Sequence, residues 1–140
     1  MKELKIAIRY AIVNNAALTT RCPGGFHWGV APSKSLRWPY IVAESLPVLD
    51  IECDTGTTVL ERHHISISVF THSQEIADDI GAVIMAVFEG HAPSLSRGKC
   101  LHVIVNNHET TLDPDPGDDG SDVWVCRTEF EFFVERPTTV

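Results

Sequence analysis

The chain has 140 residues, of which 44% are hydrophobic and 21% charged, and this composition is ordinary for a single globular domain. Its formal net charge of −8 disfavours a general nucleic-acid binder or an anionic membrane partner, because both contacts need clusters of Lys and Arg. No apolar run approaches the roughly 20 residues that span a bilayer, and charge interrupts the N-terminus before a signal-peptide core, so we expect a protein made in a cytosol.

The first predicted element is a helix over residues 2–15. Apolar residues recur there at spacings of three and four, which is typical of the buried side of an amphipathic helix: Leu4, Ala7, Ile8, Ala11 and Ile12. Residues 16–18 fit one further helical turn. The Cys-Pro-Gly-Gly segment at 22–25 then predicts a turn, because Pro and Gly interrupt regular structure.

Extended segments follow. Residues 26–28 fit a short strand, and Pro39 opens a strand over 40–44, since Pro is tolerated at the first residue of a strand. Residues 58–70 alternate between two faces, as in a half-buried antiparallel strand. The apolar face has Ile65, Ile67 and Val69, and the polar face has His64, Ser66 and Ser68.

A second and clearer helix is predicted over residues 73–89. Its apolar stripe comprises Ile76, Ile80, Val83, Ile84, Val87 and Phe88. Ser73 or Thr71 is the expected N-cap, and Thr71 with Gln74 fits a capping box. Gly90 is expected to close the helix.

Residues 101–106 and 124–134 alternate and are predicted as the last two strands, separated by a polar loop at 113–120. The order helix, strand, strand, helix, strand, strand predicts one α+β domain over residues 1–140. We expect a mostly antiparallel sheet of four strands or slightly more, with two helices packed on one face. No Gly-rich loop follows a strand, which disfavours a doubly wound nucleotide-binding fold.

The histidines do not indicate a metal or cofactor site. His63 and His64 are adjacent, so on a strand they point to opposite faces and cannot ligate one metal. The remaining spacings include neither a His-x-x-x-His helix nor a Cys–His zinc pattern. Solvated or hydrogen-bonded histidines are the preferred interpretation, and no cofactor is expected.

The four cysteines are interpreted as reduced, because they are far apart and the chain is long enough to form its own core. Cys100 and Cys126 lie in apolar strand patterns and are expected to pack there. Cys22 lies beside glycines in a loop and is the candidate nucleophile of a Cys–His hydrolase. Nothing in the sequence places a His next to it, so we expect no catalytic residues and no enzyme.

The acidic loop is a candidate interface, through Asp113, Asp115, Asp118 and Asp119. A calcium site is the alternative, but an EF-hand needs Gly at its sixth position and Glu at its twelfth. Counted from Asp113, these positions hold Asp118 and Trp124. A solvated, mobile loop is the preferred interpretation, and packing of a neighbouring subunit on it is a way in which it could become ordered.

Two further sets of residues are candidate interfaces. Phe26, Trp28 and Trp38 cluster in a Gly- and Pro-rich segment, where they either anchor a partner or cover an edge of the sheet. His64 and Ser66 belong to the polar strand face, which is either solvated or lines a subunit interface or the lumen of an assembly.

Five segments in order form a wider pattern. They are Phe-His-Trp-Gly-Val-Ala-Pro at 26–32, Pro-Tyr-Ile-Val at 39–42, the alternating strand at 65–71, the helix start at 75–80 and Phe-Glu-Phe at 130–132. This pattern resembles the tail terminator or tail-completion proteins of long-tailed bacteriophages, in element order over nearly the whole chain. The acidic insertion at 113–122 departs from it and leaves the role of that loop open.

The resemblance implies a virion protein that caps the tail tube as a ring of six copies, ends tube elongation and offers the head–tail joining surface. The implied partners are further copies of the chain, the major tail tube protein and a head-side connector or stopper protein. DNA would pass without specific binding, and no membrane takes part. The implied location is the neck region of the virion tail, after assembly in the host cytoplasm.

Two other functions are alternatives at this stage. One is another neck component, such as a head–tail stopper, which the same resemblance allows. The other is a small α+β hydrolase or ligand-binding domain, which a pocket around Cys22 or around paired histidines would favour.

Overall fold

The computed structural model describes residues 2–31, 37–54, 58–114 and 120–137, with the backbone alone described at 47–54. In chain order the elements are α1 Lys2–Val13, α2 Ala16–Arg21, β1 Phe26–Trp28, β2 Tyr40–Asp54, β3 Thr58–Thr71, α3 Gln74–Phe88, β4 Lys99–Leu112 and β5 Trp124–Pro137. Within this part of the chain, no helix is both long enough and apolar enough to cross a membrane.

The strands form one sheet in the order β1-β2-β3-β5-β4. β1 pairs in parallel with β2, and the other three pairs are antiparallel. The predicted α+β class and mostly antiparallel sheet are therefore confirmed. The described residues contain five strands and three helices, one more of each than the four strands and two helices expected.

The two additional elements are short and depend on tertiary contacts. α2 has six residues; the side chain of Asn15 caps it by accepting a hydrogen bond from the backbone N–H of Leu18 at 3.1 Å. β1 has three residues and gains its partners from β2, at Ile41–Ala43. A segment of three to six residues contains too little periodicity to be assigned with certainty from sequence.

Two strands are longer than their local sequence indicates. β2 continues past Glu44 to Asp54, and β4 extends from Lys99 to Leu112. Both contain residues that are depleted in strands, such as Asn107, which nevertheless pairs with Glu129 of β5. Pairing with a long neighbouring strand therefore overrides local preference, with shifts of register that interrupt β2 and β4.

The helices cover one face of the sheet, called here the helix face, and the core lies between the two layers. α1 contributes Leu4, Ile8 and Ile12, which are all nearly inaccessible. α3 places Phe88 against two rings of β5, at centroid distances of 5.4 Å to Phe130 and 5.6 Å to Phe132. From β3 the core takes the predicted apolar face: Ile65, Ile67 and Val69.

The buried side of α3 is rotated relative to the predicted one, so that Ala77 takes the place expected for Ile76. Ile76 was expected in the core but is 45% exposed, whereas Ala77 and Gly81 are buried. The reason is a close approach at Gly81, where the helix lies directly against Cys126 of β5. A residue without a Cβ permits this contact and brings the column that contains Ala77, Gly81, Ile84 and Phe88 onto the sheet.

Ser73, one of the two expected N-caps, is the residue that caps α3. The Ser73 Oγ accepts a hydrogen bond from the backbone N–H of Ile76 at 3.4 Å. Thr71 is instead the last residue of β3 and is buried, so the expected capping box with Gln74 is not formed.

The Gly81 contact predicts an unusual response to a Gly→Ala change. A Cβ at position 81 would lie 2.1 Å from Cys126 Sγ, so Gly81→Ala should destabilise the protein by about 1–3 kcal/mol through overpacking. Helix propensity alone would favour Ala by about 1 kcal/mol. The melting temperature decides between the two effects.

The control is Ala82→Gly at the neighbouring exposed position, which measures helix propensity without the contact. The same Gly81→Ala change should cost less in a Cys126→Ala background, because the Sγ is then absent. An equal cost in both backgrounds, or a rise in melting temperature on the native background, would contradict the packing described.

Candidate interaction surfaces

The face of the sheet opposite the helices, called here the open face, is polar. His64 and Ser66 lie on it, as the alternation along β3 predicts. Ser66 is only 3% exposed and is flanked in register by Glu44 of β2 and Glu129 of β5. The Nδ1 of His64 is 3.5 Å from a carboxylate oxygen of Glu131. Closely spaced polar and charged side chains therefore cover this face.

A hollow of about 310 Å³ lies on the open face beside the acidic loop. Three carboxylates line it, from Glu44, Glu109 and Asp113, together with the cation Arg127. The Arg127 guanidinium also lies 3.3 Å from Glu129. The hollow therefore has an excess of negative charge.

Only the two ends of the acidic loop are described. Asp113, the first of its predicted interface residues, donates its backbone N–H to the carbonyl of Val123 at 2.7 Å. Asp115, Asp118 and Asp119 lie outside the described residues, and their interface role stays a prediction.

Trp38 belongs to an aromatic cluster at one end of the sheet. Its ring centroid lies 4.8 Å from that of Tyr40 and 4.3 Å from that of His72. Tyr40 in turn stacks on Phe70 at 4.9 Å. Burial raises the pKa of Tyr40 above its ordinary value, and the charge of Asp113 raises it further. The cluster therefore adjoins the start of the acidic loop.

Phe26 and Trp28 form a separate pair on the helix face of β1. Phe26 is buried in the core, so it cannot serve as the exposed anchor that the sequence suggested. Trp28 is half-buried, with its ring 5.5 Å from that of Phe26. The three aromatic residues do not form one cluster, because alternation along β1 places residues 26 and 28 on one face, apart from Trp38.

A second hollow of about 370 Å³ lies between α1 and Trp28. Lys2, Lys5 and Arg9 line it, and the Lys5 ammonium lies 5.6 Å from the centre of the Trp28 ring. Ile6 also lines the hollow and is 54% exposed. The helical periodicity of α1 identifies its buried side, but it gives no indication of this surface.

The cysteines whose side chains the structure describes do not form a reactive site. Cys22 is buried, and burial raises the pKa of its thiol to about 11. Cys126 does approach a histidine, with its Sγ 4.0 Å from the His108 Nε2. Cys126 is buried beneath Gly81 and His108 is half-buried, and burial raises the pKa of the Cys126 thiol as well. Neither thiol has the lowered pKa and access that a nucleophile requires.

Metal binding receives no support from the described part of the chain. There, no group of three or more His, Cys, Asp or Glu side chains is arranged to hold a metal ion. Cys22, Cys100 and Cys126 are free thiols, in agreement with the interpretation that they are reduced.

Comparison with known proteins gives the family. A family model described as Tail completion protein gp17 matches residues 6–134. The chain belongs to this family. It is therefore a structural protein of a phage-like tail, located in the virion, which confirms the family resemblance noted in the sequence.

One solved structure, from a gene transfer agent particle, has the same fold as this chain. A chain described as "Virion of native gene transfer agent (GTA) particle" is 20% identical, covers 96% of this chain and 96% of its own length, and has a TM-score of 0.75. Another solved chain is 16% identical over 91% of this chain and 94% of its own, with a TM-score of 0.49. No curated protein matches the sequence.

A buried ionic network lies on the helix face, where the sequence suggested only apolar contacts. Glu61 is 3% exposed and accepts hydrogen bonds from the Arg136 Nε at 2.8 Å and the His63 Nε2 at 3.2 Å. Glu61 and His63 have the same parity as Ile65 and Ile67 along β3, and this signal could have placed them on the buried side.

The network sets the ionisation of both β3 residues. Burial alone would raise the pKa of Glu61, but the hydrogen bonds from Arg136 and His63 outweigh it and hold the pKa below its ordinary value. Burial is the main reason that the pKa of His63 is lowered. The carboxylate is therefore held as an anion, while the imidazole is favoured in its neutral form.

Removal of this anion should destabilise this tail completion family member in a pH-dependent way. Since the folded pKa of Glu61 lies below the unfolded value near 4.5, its contribution is full above that pH and lost as pH falls through the folded pKa. Glu61→Gln should cost about 1–3 kcal/mol at neutral pH, because Arg136 loses its charged partner. The cost should shrink below pH 4.5.

Denaturant titrations at several pH values measure this difference. Glu135→Gln on β5 is the matched control, because Glu135 is an exposed carboxylate in the same part of the sheet. A pH-independent cost of Glu61→Gln, or an equal effect of the control, would mean that the network does not hold the anion.

Proposed function

We propose that the protein caps the phage tail tube as a closed ring of six subunits, ends tube elongation and provides the head–tail joining surface. The observation behind the proposal is the tail completion family match across residues 6–134. A chain of a gene transfer agent virion with the same fold over 96% of its length supports it. Our proposal assigns the protein an assembly role and no catalytic one.

The architecture suits a subunit that meets its neighbours edge to edge. Both ends of the sheet are open in the described residues, since β4 ends one side and β1 covers only three residues of β2 on the other. Contacts between two different edges are heterologous, and such contacts close into a ring when the rotation between subunits fits.

The charge suits a channel that DNA crosses. The formal net charge is −8, and the hollow on the open face has three carboxylates against one arginine. Acidic surfaces repel the phosphate backbone, so DNA passes without being retained. In this proposal the two rims of the subunit ring contact the major tail tube protein and a head-side connector or stopper protein.

Two alternatives make different demands. A head–tail stopper would bind the head-side connector and leave tube length unaffected. A hydrolase would need an accessible thiolate, whereas Cys22 is buried with a raised pKa. A cavity of about 120 Å³ does border Cys22, but its lining is mainly apolar and includes no histidine that could act as a base.

The purified protein, alone and mixed with major tail tube protein, provides the test. We expect closed six-subunit rings in native mass measurements at high protein concentration, and rings on the ends of tubes in negative-stain images. Tube length should become limited when the protein is present during polymerisation, because a capped end cannot accept further tube subunits.

A phage with the gene deleted should produce overlong tails that are not joined to heads. Tails of normal length that lack heads would instead favour the stopper alternative. Monomers and dimers only, with no binding to tubes, would overturn the proposal.

A further inference from the structure

We infer that a basic, partly apolar surface on α1 docks on an acidic surface of α3 and β4 in a second copy of this chain. The inference rests on the proposed subunit ring and specifies which two surfaces meet in it. The first, called here the basic edge, comprises Lys2, Lys5, Ile6, Arg9, Tyr10 and Trp28. The second, called here the acidic edge, comprises Glu75, Asp78, Asp79 and Leu112.

The basic edge is an exception in a chain of net charge −8. α1 contributes three cations and one carboxylate within twelve residues. Between these cations lie large apolar groups, with Tyr10 69% exposed and Ile6 54% exposed. They adjoin the hollow of about 370 Å³ beside Trp28. Exposed apolar groups surrounded by charge are typical of a surface that a partner covers.

The cations of this edge are held in place. Lys5 lies over the ring of Trp28, and the Arg9 guanidinium lies 5.8 Å from the centre of the Phe26 ring. Since Phe26 is buried in the core, both charges are positioned by rigid aromatic groups. A contact made by such groups loses less side-chain entropy than one made by freely rotating lysines.

The acidic edge has the opposite charge and also an apolar group. α3 has three carboxylates and no Lys or Arg within its fifteen residues. Asp78 accepts a hydrogen bond from the Thr110 hydroxyl, which joins the start of α3 to the outer strand β4. Leu112 at the end of β4 is 49% exposed. This edge therefore offers the complement that the basic edge requires.

The two edges lie on opposite sides of one molecule. α1 contacts both β1 and one flank of α3, whereas α3 also packs on β3, β5 and β4. Lys5 and Arg9 lie over rings of β1, and Asp78 bonds to Thr110 of β4, so the two charged flanks are at opposite ends of the sheet order. They therefore cannot meet within a subunit, but they can meet between two. The resulting contact is heterologous, and an open row of subunits has one unused basic edge and one unused acidic edge until it closes into a ring.

Charge reversal provides a direct test. Variant A carries Lys5→Glu and Arg9→Glu, and variant B carries Glu75→Lys and Asp79→Lys. Asp78 is kept because it bonds to Thr110. Each variant alone would bring like charges together, so its self-association should weaken by about tenfold or more.

An equal mixture of A and B should recover assembly. Every contact then pairs an acidic α1 with a basic α3, or a native α1 with a native α3. Native mass measurement should show alternating A and B subunits, which requires an even number in each closed ring. Association of the wild type should also weaken as salt rises, because ionic strength screens exposed charges.

Matched controls reverse exposed charges away from both edges, at Arg21→Glu on α2 and Glu89→Lys beyond α3. They should assemble as the wild type does. Circular dichroism and melting curves verify folding, and milder variants, Lys5→Gln with Arg9→Gln and Glu75→Gln with Asp79→Asn, should weaken assembly while preserving the fold.

The outcomes distinguish a failure of the two assigned edges from a failure of the proposed tail-capping ring. Wild-type assembly that the A, B and milder variants leave unchanged would overturn the assigned edges and leave the tail-capping function intact. A mixture of A and B that fails to assemble, although each variant is folded, would also overturn them. A wild type that never self-associates, even on tail tubes, would overturn both.

Discussion

Burial of only one face of a long antiparallel sheet is the constraint from which the rest of the structure follows. The apolar side chains of β3, at Ile65, Ile67 and Val69, face the helices. Burial of such a side chain stabilises the fold by roughly 1.5–3 kcal/mol. The helical layer covers this face alone in the described residues. The opposite face combines polar residues such as Ser66 with the stacked rings of Tyr40 and Phe70, and the sheet has two lateral edges available for contact with other molecules.

Elements with strong periodicity could be predicted from the sequence, and those formed by tertiary contact could not. α3 and β3 can be identified because apolar residues recur along α3 from Ile76 to Phe88 and alternate in β3 at Ile65, Ile67 and Val69. The length of β2, which continues to Asp54, comes from pairing with β3, and no local signal specifies it. For the site, alternation placed His64 and Ser66 correctly, but proximity along the chain misplaced Phe26, which folds inward.

Two features support the proposal of an assembly role for this member of the tail completion family. The thiols of Cys22 and Cys126 are buried and have raised pKa values. Charged residues, in contrast, segregate on the surface, with cations along α1 and carboxylates along α3. The sequence contains this segregation, but its meaning depends on the fold, which turns the cations of α1 toward β1 and Asp78 of α3 toward β4.

The outer strand β4 is long enough to expose a free subunit to unwanted strand pairing. It runs over fourteen residues at the margin of the sheet, where its outward backbone groups form a template for unwanted strand addition. Two irregularities, near Cys100 and near Val105, disturb its straightness. Such bulges twist an edge strand and hinder its pairing with strands of other chains. The two irregularities of β4 therefore protect the outer strand of a free subunit against strand addition by other chains.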